Sequence, residues 1–329
     1  MPLKSLLRAF KSKGPSEDSR VRIAVIGAGR MGQFHLKALS KMPPARLVGI
    51  ADVSHDRAKS LAERYKISSA ANAVDFISRI DAAIIAAPTP VHYELGKLFL
   101  NAGISCLIEK PFAETLAQAE ELIALAEGKK AVLQIGHIER FNPAVIEAAQ
   151  HIQDPQFIEV NRLGPYDPRV SHIGVVMDLM IHDLDIVLFL VGRPVTRVEA
   201  FGAKVLSTHE DIAKVRLHFE GGCIADLSAS RISLKKYRRI RIFQKNAYMS
   251  LDYASPKLQI YRKKTDVVKS LTDISILSPK LSKKDPLTLE LDHFLQCVRE
   301  KRVPLVAGEH GRDALGLAQE VLRQLKIHA

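Results

Sequence analysis

Asp178, His182 and Asp185 stand at i, i+4 and i+7 within an otherwise apolar run, V-M-D-L-M-I-H-D-L-D-I-V-L-F-L-V-G, residues 176–192. On a helix this spacing gathers the three on one face and turns Asp183 away. Burying such groups costs on the order of several kcal/mol unless they are paired, hydrogen-bonded or put to use. Three chemistries fit the residue types: a divalent-metal site, a polar seam satisfied inside the core, or an acid/base group working near neutral pH. No further ligand cluster lies nearby in sequence, so no metal site is expected. Asp185 fits a structural role best, satisfying backbone or arginine groups, and Asp183 has no catalytic case.

A second set of residues lies at the ends of strand-like runs. V-R-I-A-V-I (21–26) passes at once into Gly27-Ala28-Gly29-Arg30-Met31-Gly32 and a helical pattern. This is G-x-G-x-x-G in the strand-to-helix setting that binds a dinucleotide. Gly27 permits the turn, Gly29 lets the diphosphate approach the backbone, and Gly32 allows close packing of helix on strand. The free N–H groups of the helix start, from Arg30 and Met31 onward, would receive the anion. A second strand, 46–51, ends in Asp52, an acid placed to accept from both ribose hydroxyls and to repel a 2′-phosphate, so NAD is expected over NADP. Helices are expected at 56–65, 73–78 and 92–101, and strands at 82–87 and 105–108. Thr89, Pro90, His92, Glu109 and Lys110 then fall at strand ends beside the glycine loop, where ligands of such sheets sit.

These pieces occupy a 329-residue chain with 47% hydrophobic and 26% charged residues, as in a globular protein of two domains. Cys106, Cys223 and Cys297 form no C-x-x-C pair, so neither disulfides nor a thiolate metal site is suggested and a reducing, cytoplasmic setting fits. No run is long and apolar enough for a membrane span. The net charge of +12 favours anionic partners. It is dispersed, though: Arg239 and Arg241 alternate with Ile240 and Ile242 as in a half-buried strand, so nucleic acid is not an expected partner. Residues 1–20 form a basic leader. Leu3, Leu6, Leu7 and Phe10 with Lys4, Arg8 and Lys11 allow a short amphipathic helix on an anionic membrane surface or another protein.

With G-A-G-R-M-G, A-P-T-P-V-H, E-K-P-F-A-E-T-L, the Asp178/His182/Asp185 spacing, and D-P-L-T-L-E-L-D-H-F followed by V-P-L-V-A-G-E-H-G-R-D-A-L, the chain resembles the Gfo/Idh/MocA oxidoreductase family. The resemblance covers nearly everything after residue 20. It implies an α/β fold: a Rossmann dinucleotide-binding domain, residues 21–137, and an α+β domain with an open, mostly antiparallel sheet, residues 138–329, carrying the substrate and oligomer contacts. Strand-like runs at 157–162, 197–204, 213–219, 222–228, 239–245 and 247–251 allow the second domain independently, with Gly221-Gly222 and Asn246 suited to hairpin turns.

The resemblance also implies site roles. Lys110, Asp178 and His182 become the catalytic, substrate-facing groups of a hydride transfer, while Thr89 and His92 approach the nicotinamide ribose and Pro90 joins the cofactor-binding set. A lysine beside an oxidised nicotinamide has its charge disfavoured and can relay a proton; His182 suits acid/base work, with Asp178 orienting it. Which of Lys110 and His182 is the immediate base stays open. G-H-I-E-R-F-N-P, 136–143, together with R-L-G-P, 162–165, resembles the branch acting on UDP-N-acetylglucosamine or its uronate at the sugar 3-position. Arg140, Arg162, Arg169 and Arg231, with Asn142 and Tyr166, are then the expected diphosphate and sugar contacts.

The expected partners are therefore NAD, a nucleotide sugar, an aminotransferase acting next in surface-glycan or lipid A-type synthesis, and further copies of the chain in a homodimer or homotetramer. Two rival functions stand beside this one: a dehydrogenase of a free polyol such as an inositol, and a non-catalytic NAD-sensing regulator. Lys110 and His182 argue against the regulator, which needs no acid/base pair.

Overall fold

The computed structural model describes residues 20–168 and 173–327. These fall into two compact units, one of residues 20–138 and 285–315, the other of 139–284 and 316–327.

The first unit is built on a parallel sheet. Its strands are β1 (Val21–Ile26), β2 (Ala45–Ala51), β3 (Ser68–Ala70), β4 (Ala82–Ile85), β5 (Ser105–Glu109) and β6 (Leu133–Gly136), in the order β3-β2-β1-β4-β5-β6. Apart from the exposed Arg22 in β1 and the terminal Ser105 and Glu109 of β5, strands β1, β4 and β5 are runs of Val, Ile, Leu, Ala and Cys buried on both faces, as parallel strands covered by helices must be. The connecting helices are α1 (Arg30–Leu39), α2 (His55–Tyr65), α3 (His92–Asn101) and α4 (Leu116–Lys129). All pairings in this sheet are parallel, so each crossing carries the chain back to the end of the sheet where the strands start, and every β-to-α turn lies at the opposite end. The order reverses between β1 and β4, which opens the crevice where such sheets bind ligands. The helix expected at 73–78 is shorter, a single 3-10 turn, Ala73–Phe76, begun by the Asn72 side chain accepting from Val74 N–H.

The second unit is built on a nine-stranded sheet that begins after α5 (Pro143–Ala149). Its strands are β7 (Pro155–Leu163), β8 (Val195–Ala203), β9 (Ile212–Phe219), β10 (Ile224–Ser230), β11 (Tyr237–Gln244), β12 (Ala247–Asp252), β13 (Lys257–Lys263) and β14 (Ile274–Leu277), with a short β15 (Leu325–Ile327) at one edge. The α6 helix (Ile181–Val191) packs on β7. All pairings are antiparallel except β7 with β10 and β8 with β15. The two expected hairpins are present, and Gly221 and Gly222 at the β9–β10 turn have φ of 83° and 88°, which glycine adopts without steric cost. Strands β13, β14 and β15 were not foreseen, although β13, K-L-Q-I-Y-R-K, alternates buried Leu258 and Ile260 with more exposed neighbours.

One boundary differs from expectation. The segment 285–315 was expected in the second domain, yet α7 (Pro286–Glu300) packs on α1 and β1 of the first unit. Its Leu291, Phe294, Leu295 and Cys297 are completely buried in that unit's core beside Leu36, Ile23 and Leu107. At roughly 1.5–3 kcal/mol per buried apolar side chain, this stripe ties α7 to the Rossmann unit. A last helix, α8 (Gly308–Gln324), begins in the first unit, and its residues from 316 onward belong to the second.

Candidate functional site

The glycine loop is shaped by three different demands. Gly27 has φ of 107°, and a Cβ there would lie 2.6 Å from the Ala86 carbonyl oxygen. At Gly32 a Cβ would lie 1.8 Å from the Gly27 carbonyl oxygen, so close packing of helix on loop requires glycine. Gly29 is different. A Cβ there would meet no protein atom within 4 Å, although Gly29 is the N-cap of α1, offers no side-chain cap, and is followed by a first turn without acidic residues. Nothing in the protein itself asks for glycine at that position, whereas a diphosphate seated on the α1 N-terminus does. The loop therefore fits a dinucleotide.

Asp52 follows β2 and is half-buried. Its Oδ2 accepts from Ala28 N–H at 2.6 Å and its Oδ1 from Ser54 N–H at 2.8 Å. The carboxylate thus braces the glycine loop, and each oxygen retains acceptor capacity for a ribose hydroxyl.

The turns after β4 and β5 correct two expectations. His92 was expected at the nicotinamide ribose, but its ring is completely buried. Nδ1 lies 2.9 Å from the Pro111 carbonyl oxygen and Nε2 2.8 Å from that of Ala87. Glu109 was expected to face the cofactor, but its carboxylate turns inward, with Oε1 2.7 Å from Nε2 of the fully buried His35. Both His92 nitrogens and the Glu109 Oε1 are thus taken up inside the protein, which leaves these side chains as braces of the turns and not as the open cofactor contacts expected. Thr89 and Lys110 remain half-exposed, with Pro90 exposed, at the strand ends where they were expected.

In the second unit the run 176–192 is not one uniform helix. Val176–Met180 forms a π-helical turn that passes directly into α6. Such turns often mark functional sites, because the extra residue re-aims the side chains that follow. Asp178 and His182 are half-exposed, whereas Asp183 and Asp185 are at most 1% exposed. The expected three-residue face therefore splits into an accessible pair and a buried acid.

The buried acids explain the arginines. Arg140 and Asp185 pair through two hydrogen bonds, 2.8 and 2.6 Å. Arg162 holds Asp183 at 2.8 and 2.9 Å, and Tyr253 Oη donates to the same carboxylate at 2.6 Å. Burial alone would lower the Arg162 pKa, but Asp183, Tyr253 and Glu139 raise it well above the ordinary value, so it stays charged. Asn142 caps α5 through Ala144 N–H and donates to Glu139 and the Tyr253 carbonyl. The phrase at 136–143 that resembles the nucleotide-sugar branch is thus a buried junction, with Glu139, Arg140, Phe141 and Asn142 all at most 7% exposed.

Arg231 is 2% exposed and bonds Asp211, the Ile173 carbonyl and Ser207 Oγ. Burial would raise the Asp211 carboxyl, but the N–H groups of Val205 and Leu206, then Arg231 and Ser207, hold it well below the usual carboxylate range. The expectation of diphosphate contacts is therefore corrected for Arg140, Arg162 and Arg231, and for Asn142: they bond carboxylates, backbone groups and, for Arg231, the Ser207 hydroxyl of their own unit. Arg169 lies outside the described residues, as do residues 1–19 of the leader. Tyr166 is half-buried beneath the Arg231 guanidinium, 5.6 Å from ring centroid to Cζ. Among the described residues no group of three or more His, Cys, Asp or Glu side chains is arranged to hold a metal ion. No helix there is long and apolar enough to cross a membrane.

Several residues important to this geometry were missed from sequence. His35 carried a visible signal: it is the one ionisable member of the buried stripe Gly32, His35, Leu36, Leu39 on α1. Glu290 and His293 interrupt the apolar face of α7 in the same way. Glu210, which accepts from Val176 N–H at 3.1 Å where the π-turn starts, left no signal of its own.

Residues 21–137 match the GFO/IDH/MocA oxidoreductase family with an NAD-binding Rossmann fold, and residues 151–250 match the GFO/IDH/MocA C-terminal domain. A UDP-N-acetylglucosamine 3-dehydrogenase of Acidithiobacillus ferrooxidans is 33% identical over 92% of this chain and 96% of its own. Its crystal structure superposes with a TM-score of 0.88, covering 93% and 97% of the two chains. A myo-inositol 2-dehydrogenase of Thermotoga maritima is 28% identical over 93% and 96%.

Proposed function

The chain belongs to the GFO/IDH/MocA family of NAD-binding oxidoreductases, and from that premise we propose that it oxidises the 3-hydroxyl of a UDP-linked N-acetylhexosamine, with NAD as acceptor. The full-length likeness to the UDP-N-acetylglucosamine 3-dehydrogenase carries the substrate class. NAD over NADP rests on Asp52, whose charge disfavours a 2′-phosphate beside the loop it braces.

NAD, when bound, supplies the hydride acceptor at the nicotinamide ring. The chain's own residues have the proton to manage. Lys110, at the end of β5, and His182, at the start of α6, are the two groups suited to take the hydroxyl proton as the hydride departs from the same carbon. Asp178, one turn before His182, is placed to orient it. The alcohol becomes a ketone, two electrons pass to the acceptor, and one proton is released. Glycine loop and Asp52 hold the dinucleotide, and the N–H groups at the α1 start receive its charge. The ketone would suit an aminotransferase.

A second reading is favoured by a specific observation. Arg140, Arg162 and Arg231 are buried against Asp185, Asp183 and Asp211, so they give no support to a diphosphate-bearing substrate. With the inositol dehydrogenase among the full-length relatives, a free polyol is the alternative. The test is NADH formation from UDP-N-acetylglucosamine and from myo-inositol, each at matched concentration, with a sugar aminotransferase and amino donor to draw the first reaction forward. Turnover of the nucleotide sugar alone supports the proposal. Turnover of the polyol alone replaces it, and turnover of neither removes both substrate classes.

A further inference from the structure

Lys110 is flanked in the chain by two residues that are each held by a buried histidine, and the two histidines come from different helices. On one side, Glu109 Oε1 accepts from His35 Nε2 at 2.7 Å, and His35 lies on α1, the helix that begins at the dinucleotide loop. The carboxylate sits over Gly136 of the neighbouring strand, where a Cβ would come within 2.9 Å of Oε2. On the other side, the Pro111 carbonyl oxygen lies 2.9 Å from Nδ1 of His92, at the start of α3, while Nε2 of the same ring lies 2.8 Å from the Ala87 carbonyl oxygen in the turn after β4. Both histidines have no exposed surface. Carbonyl and carboxylate oxygens accept, so the rings are the donors in the bonds their protons serve.

We propose that His35 and His92 are positioning residues, two brackets that fix the backbone on either side of Lys110 and so fix where its amine stands. This rests on the reading of Lys110 as a proton-handling group. A lysine side chain has four flexible carbons, so its amine keeps a defined place only if its Cα is immobile and its surroundings are packed. His35 ties that Cα to the helix receiving the diphosphate, and His92 ties it to the turn bearing Thr89. Misplacing a catalytic group by about 1 Å costs on the order of a hundredfold in rate, which gives two otherwise silent buried histidines a functional consequence.

The experiment uses the full chain with NAD bound and compares glutamine with asparagine at each histidine. The glutamine amide reaches the position of Nε2; asparagine, one methylene shorter, reaches that of Nδ1. His35 bonds Glu109 through Nε2, so H35Q should preserve its bracket and H35N should lose it. Both His92 nitrogens face carbonyl oxygens, and a ring carrying its proton on Nδ1 donates to Pro111, so the order reverses: H92N should preserve the Pro111 contact and H92Q should lose it. The first readout needs no sugar. Lys110 is labelled with trace acetic anhydride and its rate measured by mass spectrometry against the exposed Lys37 and Lys59 of the same molecule. The bracket-preserving variants should keep the Lys110 rate within about twofold of the parent, and the bracket-losing ones should shift it by about fivefold or more.

With a turned-over substrate, the losing variants should lower kcat by about ten- to a hundredfold, with the KM for NAD within about threefold. Equal Lys110 labelling across all four folded variants overturns the proposal, even if their melting temperatures fall. Should any asparagine or glutamine variant fail to fold, E109Q against E109A repeats the His35 arm, because glutamine keeps an acceptor for that ring. The labelling decides the matter whether or not a substrate has been found, so its failure is separate from failure of the proposed function.

Discussion

Arg140 and Asp185 meet as a buried fork, Nε to Oδ2 at 2.8 Å and Nη2 to Oδ1 at 2.6 Å, with side-chain exposures of 2% and 0%. An arginine held this way is part of the scaffold. Arg140→Ala should destabilise the protein by about 3–5 kcal/mol, because it leaves Asp185 charged and unpaired in the interior. The double change Arg140→Met with Asp185→Leu should cost less than that single change. Urea denaturation midpoints measure both. If Arg140→Ala left stability intact and raised only the KM for the substrate, the fork would have been misassigned.

The glycine loop yields a contrast between neighbours. Gly32→Ala places a Cβ 1.8 Å from the Gly27 carbonyl and should destabilise by about 1–3 kcal/mol or more. Gly29→Ala meets no protein atom, so thermal melting should match the parent. Its NAD affinity should nevertheless fall by about tenfold or more, ~1.4 kcal/mol, as titration calorimetry would register.

Asp52 carries the cofactor preference. Asp52→Asn retains an oxygen for the loop N–H groups but removes the charge, so the NAD-to-NADP ratio in kcat/KM should drop by about tenfold. An unchanged ratio would mean that another group excludes the 2′-phosphate.

His293 gives acid sensitivity with a defined sign. Its Nε2 accepts from Leu305 N–H at 2.9 Å, and burial, then Arg302, pushes its pKa down from 6.5 to about 4. Below 6.5 the unfolded chain takes up a proton that the folded ring refuses, so stability falls as pH drops from about 6.5 to about 4. The loss over that window should be about 3 kcal/mol. In His293→Gln, whose amide oxygen can still accept, stability measured by denaturation should lose that slope.

Glu290 has the opposite sign. Burial first, and the Glu109 carboxylate second, raise its pKa well above 4.5, and neither of its oxygens has a protein hydrogen-bond partner among the described residues. As pH rises past 4.5 the unfolded chain gives up a proton that the folded one keeps, so this group lowers stability toward alkaline pH. Glu290→Gln should therefore melt higher than the parent near pH 8 and equally near pH 4. A variant that melts lower at both values would assign the carboxyl a bonded role.

The sequence by itself determined the family, most of the alternation of strand and helix up to the end of β5, the glycine loop with Asp52, and the half-buried strand at 239–242, because each depends on local order: period, turn chemistry and short spacing. Which charged residues are available to a ligand was decided only by the tertiary structure. Asp185 and Arg140 are 45 positions apart, Arg162 and Asp183 are 21, and His35 and Glu109 are 74. Before the chain folds, an arginine destined for a buried carboxylate looks the same as one destined for a phosphate. The return of α7 to the first unit and the inward turn of Glu109 and His92 were hidden for the same reason: burial is a property of the packed chain, and long-range pairing determines which polar groups remain accessible.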